Sequence, residues 1–156
     1  MIDNHIIAPV LIHLFTALLQ LVFWRKTFTQ RIISVVGNIV SVLAALNLFS
    51  KVYHGGILTM NAANWKAPFG IVFVADTMSV TLVLLTSIAA IAVSLFSCIG
   101  VGRARMLYGY FPIFHFLIMG LNGAFLTGDI FNLYVWFEVV IISSFVLLTL
   151  GGRKPQ

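Results

Sequence analysis

Charged side chains are scarce in this sequence, where Asp, Glu, Lys and Arg together make up 8% of 156 residues. An average soluble domain has about 25%. Hydrophobic residues reach 61% and the mean hydropathy is +1.09, so the composition predicts an integral membrane protein. The net charge is +5, but the basic residues stand in short clusters between apolar runs, which is how membrane topology is encoded. We therefore expect a lipid bilayer around the chain and no nucleic-acid partner.

Cysteine is equally scarce, since Cys98 is the single one. It falls inside an apolar run, which excludes a disulfide framework and a cysteine-based metal site. The sequence also lacks a phosphate-binding Walker loop, a GxGxxG turn, a His or Cys cluster with metal-ligand spacing, and a Ser, His and Asp set suited to nucleophilic catalysis. We predict no enzymatic chemistry, no cofactor and no metal, so any uphill work would draw on an ion gradient or on partner subunits.

Long apolar runs dominate what is present. A hydrocarbon core about 30 Å thick requires about 20 apolar residues at about 1.5 Å per residue, and five segments approach that length. The predicted fold is all-α, a single membrane domain over residues 1–156 with helices at about 6–24, 32–50, 77–99, 108–126 and 131–150. The opening residues, MIDNH, lack the basic stretch of a signal peptide, so we expect the first helix to be retained.

The basic residues predict the orientation of these helices, because Lys and Arg concentrate in cytoplasmic loops. Most of them follow the first, third or fifth predicted helix, namely Arg25, Lys26, Arg31, Arg103, Arg105, Arg153 and Lys154. Lys51 and Lys66 lie on the other side, and so do the acids Asp3, Asp76 and Asp129. The N-terminus is then predicted outside and the C-terminus in the cytoplasm.

The longest polar interval lies between the second and third predicted helices, over residues 51–76. Glycines and a proline there interrupt two short runs of β-prone residues, which predicts a small hairpin on the outer face. Asp76 stands directly before the third predicted helix and Asp129 before the fifth. For both, capping of the helix is a better interpretation than catalysis.

Glu138 is an acid inside a predicted helix, within about one turn of the membrane midplane. A charge at that depth costs roughly 2.5–3.5 kcal/mol. The Leu, Ile, Val and Phe residues around it offset this cost at about 0.3–0.6 kcal/mol each. Because the ionised carboxylate is poorly solvated there, a proton can bind and leave near neutral pH. We predict that Glu138 carries protons; the alternative is an acid that only locks helix packing.

Tyr134 and His115 are secondary candidates for the same function. Tyr134 lies one turn before Glu138 and could donate a hydrogen bond to its carboxylate. His115 belongs to a stripe with Tyr108 and Asn122 at seven-residue spacing, which predicts a face turned to protein or water. Near mid-membrane His115 is a candidate proton relay, although a packed, hydrogen-bonded histidine is the preferred interpretation.

His13 poses the same choice on the first predicted helix. It shares one helix face with Thr16 and Gln20, so this face is predicted to meet protein and not lipid. Packing is the preferred interpretation for His13, and a proton relay is the alternative.

Three runs resemble the D subunit of the multisubunit Mrp-type cation/proton antiporters: APFGIVFVAD (67–76), FPIFHFLIMGLNGAFLTGDIFNLYVWFEV (111–139) and IISSFVLLTLGG (141–152). The D subunit is one of the antiporter-like proteins that also form the proton-pumping membrane arm of respiratory complex I and of membrane-bound hydrogenases. The resemblance covers essentially all of the chain, and its most specific part is NGAFLTGDIFNLYVWFE.

The resemblance implies that Glu138 matches the glutamate of the family's fifth helix, which lies on the proton path and is coupled to a lysine of the seventh helix. His115 matches no functional position of the family. The family's further helices and that lysine are not in this sequence, so we expect it to be the N-terminal third of a roughly 14-helix fold. The implied function is exchange of monovalent cations, sodium first among them, for protons across a bacterial-type plasma membrane within a hetero-oligomeric complex.

Two alternatives stay open. The chain could belong to a proton-pumping subunit of a complex I-like NADH:quinone oxidoreductase or of a membrane hydrogenase. Neighbouring genes would separate this case, because its partner subunits carry the cysteine patterns of Fe–S clusters. The other alternative is a truncated membrane protein that assembles or scaffolds without transporting.

Overall fold

The computed structural model describes residues 4–65 and 69–150. After a 3-10 turn at Asn4–Ile7, the helices are α1 (Ala8–Val22), α2 (Thr27–Gly55), α3 (Thr77–Gly100), α4 (Arg103–Leu107), α5 (Tyr110–Leu126) and α6 (Ile130–Thr149). Strands β1 (Leu58–Asn61) and β2 (Val72–Ala75) lie between α2 and α3, with a 3-10 turn at Ala62–Asn64. Four charged positions used to predict orientation lie outside the described residues: Asp3, Lys66, Arg153 and Lys154.

Four helices have the length and apolar composition needed to cross a membrane: His5–Val22, Thr27–Gly55, Thr77–Gly100 and Ile130–Thr149. The remaining long helix, Tyr110–Leu126, is apolar but has only 17 residues. The chain is therefore mostly helical and a multi-pass membrane protein, as its composition predicts.

Two helices differ clearly from the predicted ones. α2 runs from residue 27 to residue 55, not from 32 to 50, because hydropathy marks the apolar middle while the backbone stays helical through polar residues. The helix predicted at 108–126 is interrupted at Gly109, whose φ of 92° is left-handed and ends the short α4 segment before α5 begins. Tyr108 is consequently not on the helix of His115, and its side chain is exposed.

The helices α1, α2, α3 and α5 form a closed four-helix bundle. α1 packs against α2 and α5, and α3 packs against the same two helices. α6 packs along α5 on the outside of this bundle. An apolar core lies near the β strands, where Ile6, Val52, Leu58, Phe73 and Leu126 are buried together. The interior of the bundle itself is unusually polar, as described below.

The predicted hairpin is present. β1 and β2 pair antiparallel, with Leu58 opposite Ala75 and Asn61 opposite Val72. Two contacts attach the hairpin to the turn between α5 and α6: Gly128 N–H donates to the Val72 carbonyl at 2.7 Å, and Val72 N–H donates to the Asp129 carboxylate at 3.1 Å. The hairpin therefore links the start of α3 to the start of α6.

Both predicted helix caps are confirmed. The Asp129 carboxylate accepts from the backbone N–H of Asn132 at 2.7 Å and caps α6. The Asp76 carboxylate accepts from Ser79 N–H at 2.7 Å, while the Ser79 hydroxyl accepts from Asp76 N–H at 2.9 Å, which completes a capping box on α3.

Candidate functional site

Glu138 lies near the middle of α6 and is half-buried. The side of α6 that faces α5 buries Asn132 and Ser143. Tyr134 and Ile142, one turn to either side of Glu138, are 62% and 60% exposed. The carboxylate thus stands on a face of α6 that turns away from the bundle.

Tyr134 lies one turn before Glu138 on the same face of α6, and its phenol is close enough to the carboxylate to interact with it electrostatically. A tyrosine hydroxyl can donate to a charged carboxylate and can rotate to accept from a neutral carboxyl group.

Small residues of α5 determine which face of α6 turns outward. A methyl group at Gly120 would approach the Val140 side chain to 2.9 Å, and one at Gly123 would overlap the Trp136 indole. Because these two glycines let α6 lie close against α5, Val140 and Trp136 are held inward. Glu138 is consequently directed to the opposite side.

His115 is fully buried on α5 and contacts other helices. Its Nδ1 lies 2.9 Å from Nδ1 of His13, and its Nε2 lies 2.9 Å from the Ser34 hydroxyl. Nε2 of His13 in turn lies 2.9 Å from the Ser41 hydroxyl. These partners are on α1 and α2, so the structure does not bring His115 to the pair formed by Tyr134 and Glu138.

The polar contacts continue into α3. The Ser41 and Ser87 hydroxyl oxygens are 3.2 Å apart, and the Ser87 hydroxyl donates to the Val83 carbonyl at 2.9 Å. We call the five connected side chains the histidine–serine chain: Ser34, His115, His13, Ser41 and Ser87. Every one of them has 0% exposure, and together they join all four helices of the bundle.

Sequence analysis predicted packing for both histidines but did not predict that they pair. The available signal was two mid-membrane histidines, each on the polar face of its own helix. Helical periodicity indicates which face is polar, yet it does not say which two faces meet.

Asn122 is the other buried member of the predicted stripe on α5. It has 0% exposure, and neither of its amide atoms has a hydrogen-bond partner among the described residues. A buried polar group without a partner costs about 1–3 kcal/mol. A polar group that reached the Asn122 amide would therefore remove this cost.

Metal-ligating side chains do not cluster in residues 4–65 and 69–150, where no group of three or more His, Cys, Asp or Glu residues could hold an ion. The ionisable side chains that the described part of the long helices contains include the Glu138 carboxylate on α6 and the imidazoles of His13 and His115 inside the bundle.

No protein-family model matches the chain. Over 154 residues the chain is 40% identical to the D subunit of the Na(+)/H(+) antiporter of Alkalihalophilus pseudofirmus, covering 99% of this chain and 31% of that protein. A chain in the structure of the Mrp complex from Dietzia sp. has the same fold, with a TM-score of 0.82 and 25% identity across 92% of this chain and 27% of that one. The membrane-bound sulfane sulfur reductase, an archaeal respiratory membrane complex, matches with a TM-score of 0.77 and 26% identity over 90% of this chain and 28% of that one.

The two solved structures named above are of multisubunit membrane complexes. By sequence the chain is homologous to the N-terminal region of the D subunit of Mrp-type Na⁺/H⁺ antiporters, which confirms the resemblance found in the sequence. The chain spans about a third of the length of the curated relative that it matches, 31%.

Proposed function

We propose that this chain is the N-terminal portion of a subunit of a cation/proton antiporter complex, which exchanges monovalent cations, Na⁺ first among them, for H⁺ across a bacterial plasma membrane. The observation that carries this proposal is the 40% identity to the D subunit of an antiporter along 99% of the chain. The fold shared with a chain of the Mrp complex supports assembly with other subunits. The chain acts as part of a transporter and not as an enzyme.

The proposed topology has five membrane-spanning helices in a single membrane domain, with the N-terminus outside and the C-terminus in the cytoplasm. α5 serves as a span because its 17 residues reach the lower end of the spanning range, about 17–25 residues. Further helices of a roughly 14-helix protein would cover the outward face of α6. Large side chains are exposed on that face, where Glu138 also lies: Phe131, Tyr134, Ile142 and Phe145. Their exposure supports this arrangement.

Glu138 is proposed to bind and release the exchanged proton. An acid inside a membrane span typically faces protein or a water-filled cavity and marks a proton path, and a covered outward face of α6 would create that arrangement. Tyr134, one turn before Glu138, is proposed to hold the carboxyl group in place by hydrogen bonding to it. His115 is a secondary candidate only, because the hydrogen bonds found for its two ring nitrogens go to His13 and Ser34.

The test replaces Glu138 with Gln in the full-length protein within its complex. The amide keeps the shape of the side chain and cannot ionise, so Na⁺-dependent proton movement in everted membrane vesicles should be abolished while assembly on a native gel is retained. Tyr134→Phe should reduce exchange only in part, because the carboxylate keeps its ability to ionise. Wild-type exchange by a well-assembled Glu138→Gln complex would contradict the assignment.

Ser144→Ala is the matched control on the same helix. Its hydroxyl is exposed and returns to the backbone carbonyls of Val140 and Ile141, so its removal leaves no donor unpaired. Exchange by this variant should equal that of the wild type. A loss as large as that of Glu138→Gln would mean that α6 tolerates no change, and the effect at Glu138 would then say nothing about protons.

A second candidate is a proton-pumping subunit of a complex I-like or hydrogenase complex, favoured by the similarity to the archaeal respiratory complex. Purification through a tag on the full-length protein separates the two. Co-purification of Fe–S proteins, seen by electron paramagnetic resonance, would support the respiratory complex. Co-purification of small membrane subunits without such signals would support the antiporter.

A further inference from the structure

A hydroxyl group has one hydrogen to give, so the histidine–serine chain can be ordered in two ways. In one order the Ser87 hydroxyl donates to the Val83 carbonyl at 2.9 Å, the Ser87 oxygen accepts from Ser41, and Ser41 accepts from the Nε2–H of His13. In the reverse order Ser87 donates to Ser41, and each later contact is reversed as well.

Each order places one proton on each imidazole, and the first order shows how. A neutral His13 with hydrogen on Nε2 presents a bare Nδ1, which accepts from the Nδ1–H of His115 at 2.9 Å. Nε2 of His115 is then the acceptor, and the Ser34 hydroxyl donates to it at 2.9 Å. With both rings neutral and in opposite tautomers, every ring nitrogen has a partner.

We propose that the histidine–serine chain is an acid-sensitive latch, which holds α1, α2, α3 and α5 together while both imidazoles are neutral and is released when the pair takes up a proton. A proton added to His13 would place an N–H of that ring directly against the N–H of His115. A proton added to His115 would force the Ser34 hydroxyl to turn away and would leave a charge at 0% exposure.

Among residues 4–65 and 69–150, the side chains around the pair offer such a charge no counterion. Ser34 and Ser41 face the pair from α2, and Ser87 reaches it from α3 through Ser41. On α5, the ring of Phe114 lies edge-on to His115 with 5.5 Å between the centroids. The electrostatic partner of His115 is His13, which would carry the same sign of charge.

The ionisable side chains of the packed helices lie elsewhere. Arg31 of α2 interacts with Cys98 of α3, and the Tyr110 hydroxyl of α5 is 2.7 Å from the Ser97 hydroxyl. The other ionisable groups of α2 stand in its last turns, about 15 Å or more beyond Ser41, and they are Lys51, Tyr53 and His54.

The pH dependence of the latch has a definite sign. An imidazole in the unfolded chain takes up a proton below a pH of about 6.5. The folded pair cannot do so without losing a hydrogen bond, so below that pH the unfolded state binds more protons than the folded state. Stability that depends on the latch is therefore complete above about pH 6.5 and declines as the pH falls.

Thermal unfolding of the purified complex tests the latch, with the double variant His13→Gln, His115→Asn in the full-length protein. Acidification from about pH 7.5 to about pH 5.5 spans the ordinary pKa of an imidazole, about 6.5, and it should lower the Tm of the wild type. The double variant should lose at least half of that shift, because its amides do not titrate. An unchanged shift in the double variant would overturn the proposal.

His54→Gln is the matched control. His54 is exposed at the end of α2, where its Nδ1 lies 2.8 Å from the Ser50 carbonyl. This variant should show the full wild-type shift of Tm on acidification. If it removes as much of the shift as the double variant does, the acid sensitivity belongs to histidines in general and not to the latch.

A second measurement needs no variant and keeps the proposal testable if the double variant fails to fold. In the complex labelled with ¹⁵N-histidine, the Nδ1–H···Nδ1 bond should give nitrogen–nitrogen coupling between two neutral rings of opposite tautomer near neutral pH. Acidification should abolish that coupling. Absence of the coupling near neutral pH, or a cationic ring in the pair at that same pH, would refute the latch.

Discussion

At the scale of single residues, the acid of α6 and the two histidines of the bundle have different surroundings. Glu138 stands half-buried on a face of α6 that the bundle does not cover, one turn from Tyr134. His13 and His115 are sealed inside the bundle, where each ring nitrogen is within hydrogen-bonding distance of a partner. A proton added to the histidine pair would therefore break a contact between helices.

Asp76 leads to a prediction about pH outside the membrane span. The backbone N–H of Ser79 donates to its carboxylate and holds the pKa of Asp76 below its ordinary value of 3.8. The unfolded chain consequently binds a proton more readily, so this stabilisation is present above about pH 4 and is lost as the pH falls through the folded-state pKa. Asp76→Ala should cost about 0.5–2 kcal/mol at neutral pH, read from thermal unfolding of the complex.

Asp76→Asn is the control for charge, since asparagine caps helices about as well as aspartate does. It should keep most of the stability at neutral pH and remove this residue's share of the decline in acid. Equal losses from the Asn and Ala variants at neutral pH would show that the charge, and not the cap geometry, stabilises the start of α3.

At the scale of elements, the contact between α5 and α6 decides where the candidate carboxylate points. A methyl group at Gly123 would overlap the Trp136 indole, so Gly123→Ala should separate the two helices. Overpacking of this kind costs about 1–3 kcal/mol. We expect a lower Tm of the complex and a loss of exchange, because α6 would no longer hold Glu138 in register.

Gly55→Ala is the matched substitution. Gly55 lies at the end of α2, and a methyl group there would meet nothing within 4 Å. Exchange and Tm should be unchanged or slightly higher, since alanine is favoured over glycine in helices. Equal losses from both substitutions would contradict the close seating of α6 on α5.

The element scale also shows how far sequence patterns reach. Hydropathy located the cores of the long helices, and the positions of Asp76 and Asp129 correctly predicted two caps. The prediction placed the ends of α2 wrongly and missed the break at Gly109. Apolar content does not record where backbone hydrogen bonding continues or where a left-handed residue interrupts it.

At the scale of the whole molecule, the proposed orientation can be tested with two alanines in a Cys98→Ser background. Ala63 lies in the hairpin loop and Ala104 on α4, and both are exposed. In intact cells, a membrane-impermeant maleimide should label Ala63→Cys and leave Ala104→Cys unlabelled until the membrane is opened, because the basic residues around Ala104 favour the cytoplasm. The opposite pattern would invert the topology, and labelling of both from one side would exclude the five-span arrangement.

The sequence by itself determined that the chain lies in a membrane, that it is helical with a hairpin, and that Glu138 is an acid within an apolar helix, because hydropathy, periodicity and turn residues are local properties. The meeting of His13 with His115, and the turning of Glu138 away from them, were decided only by tertiary structure. Helix faces can be read from spacing, but which faces touch depends on how closely whole helices approach, and Gly120 and Gly123 control that approach.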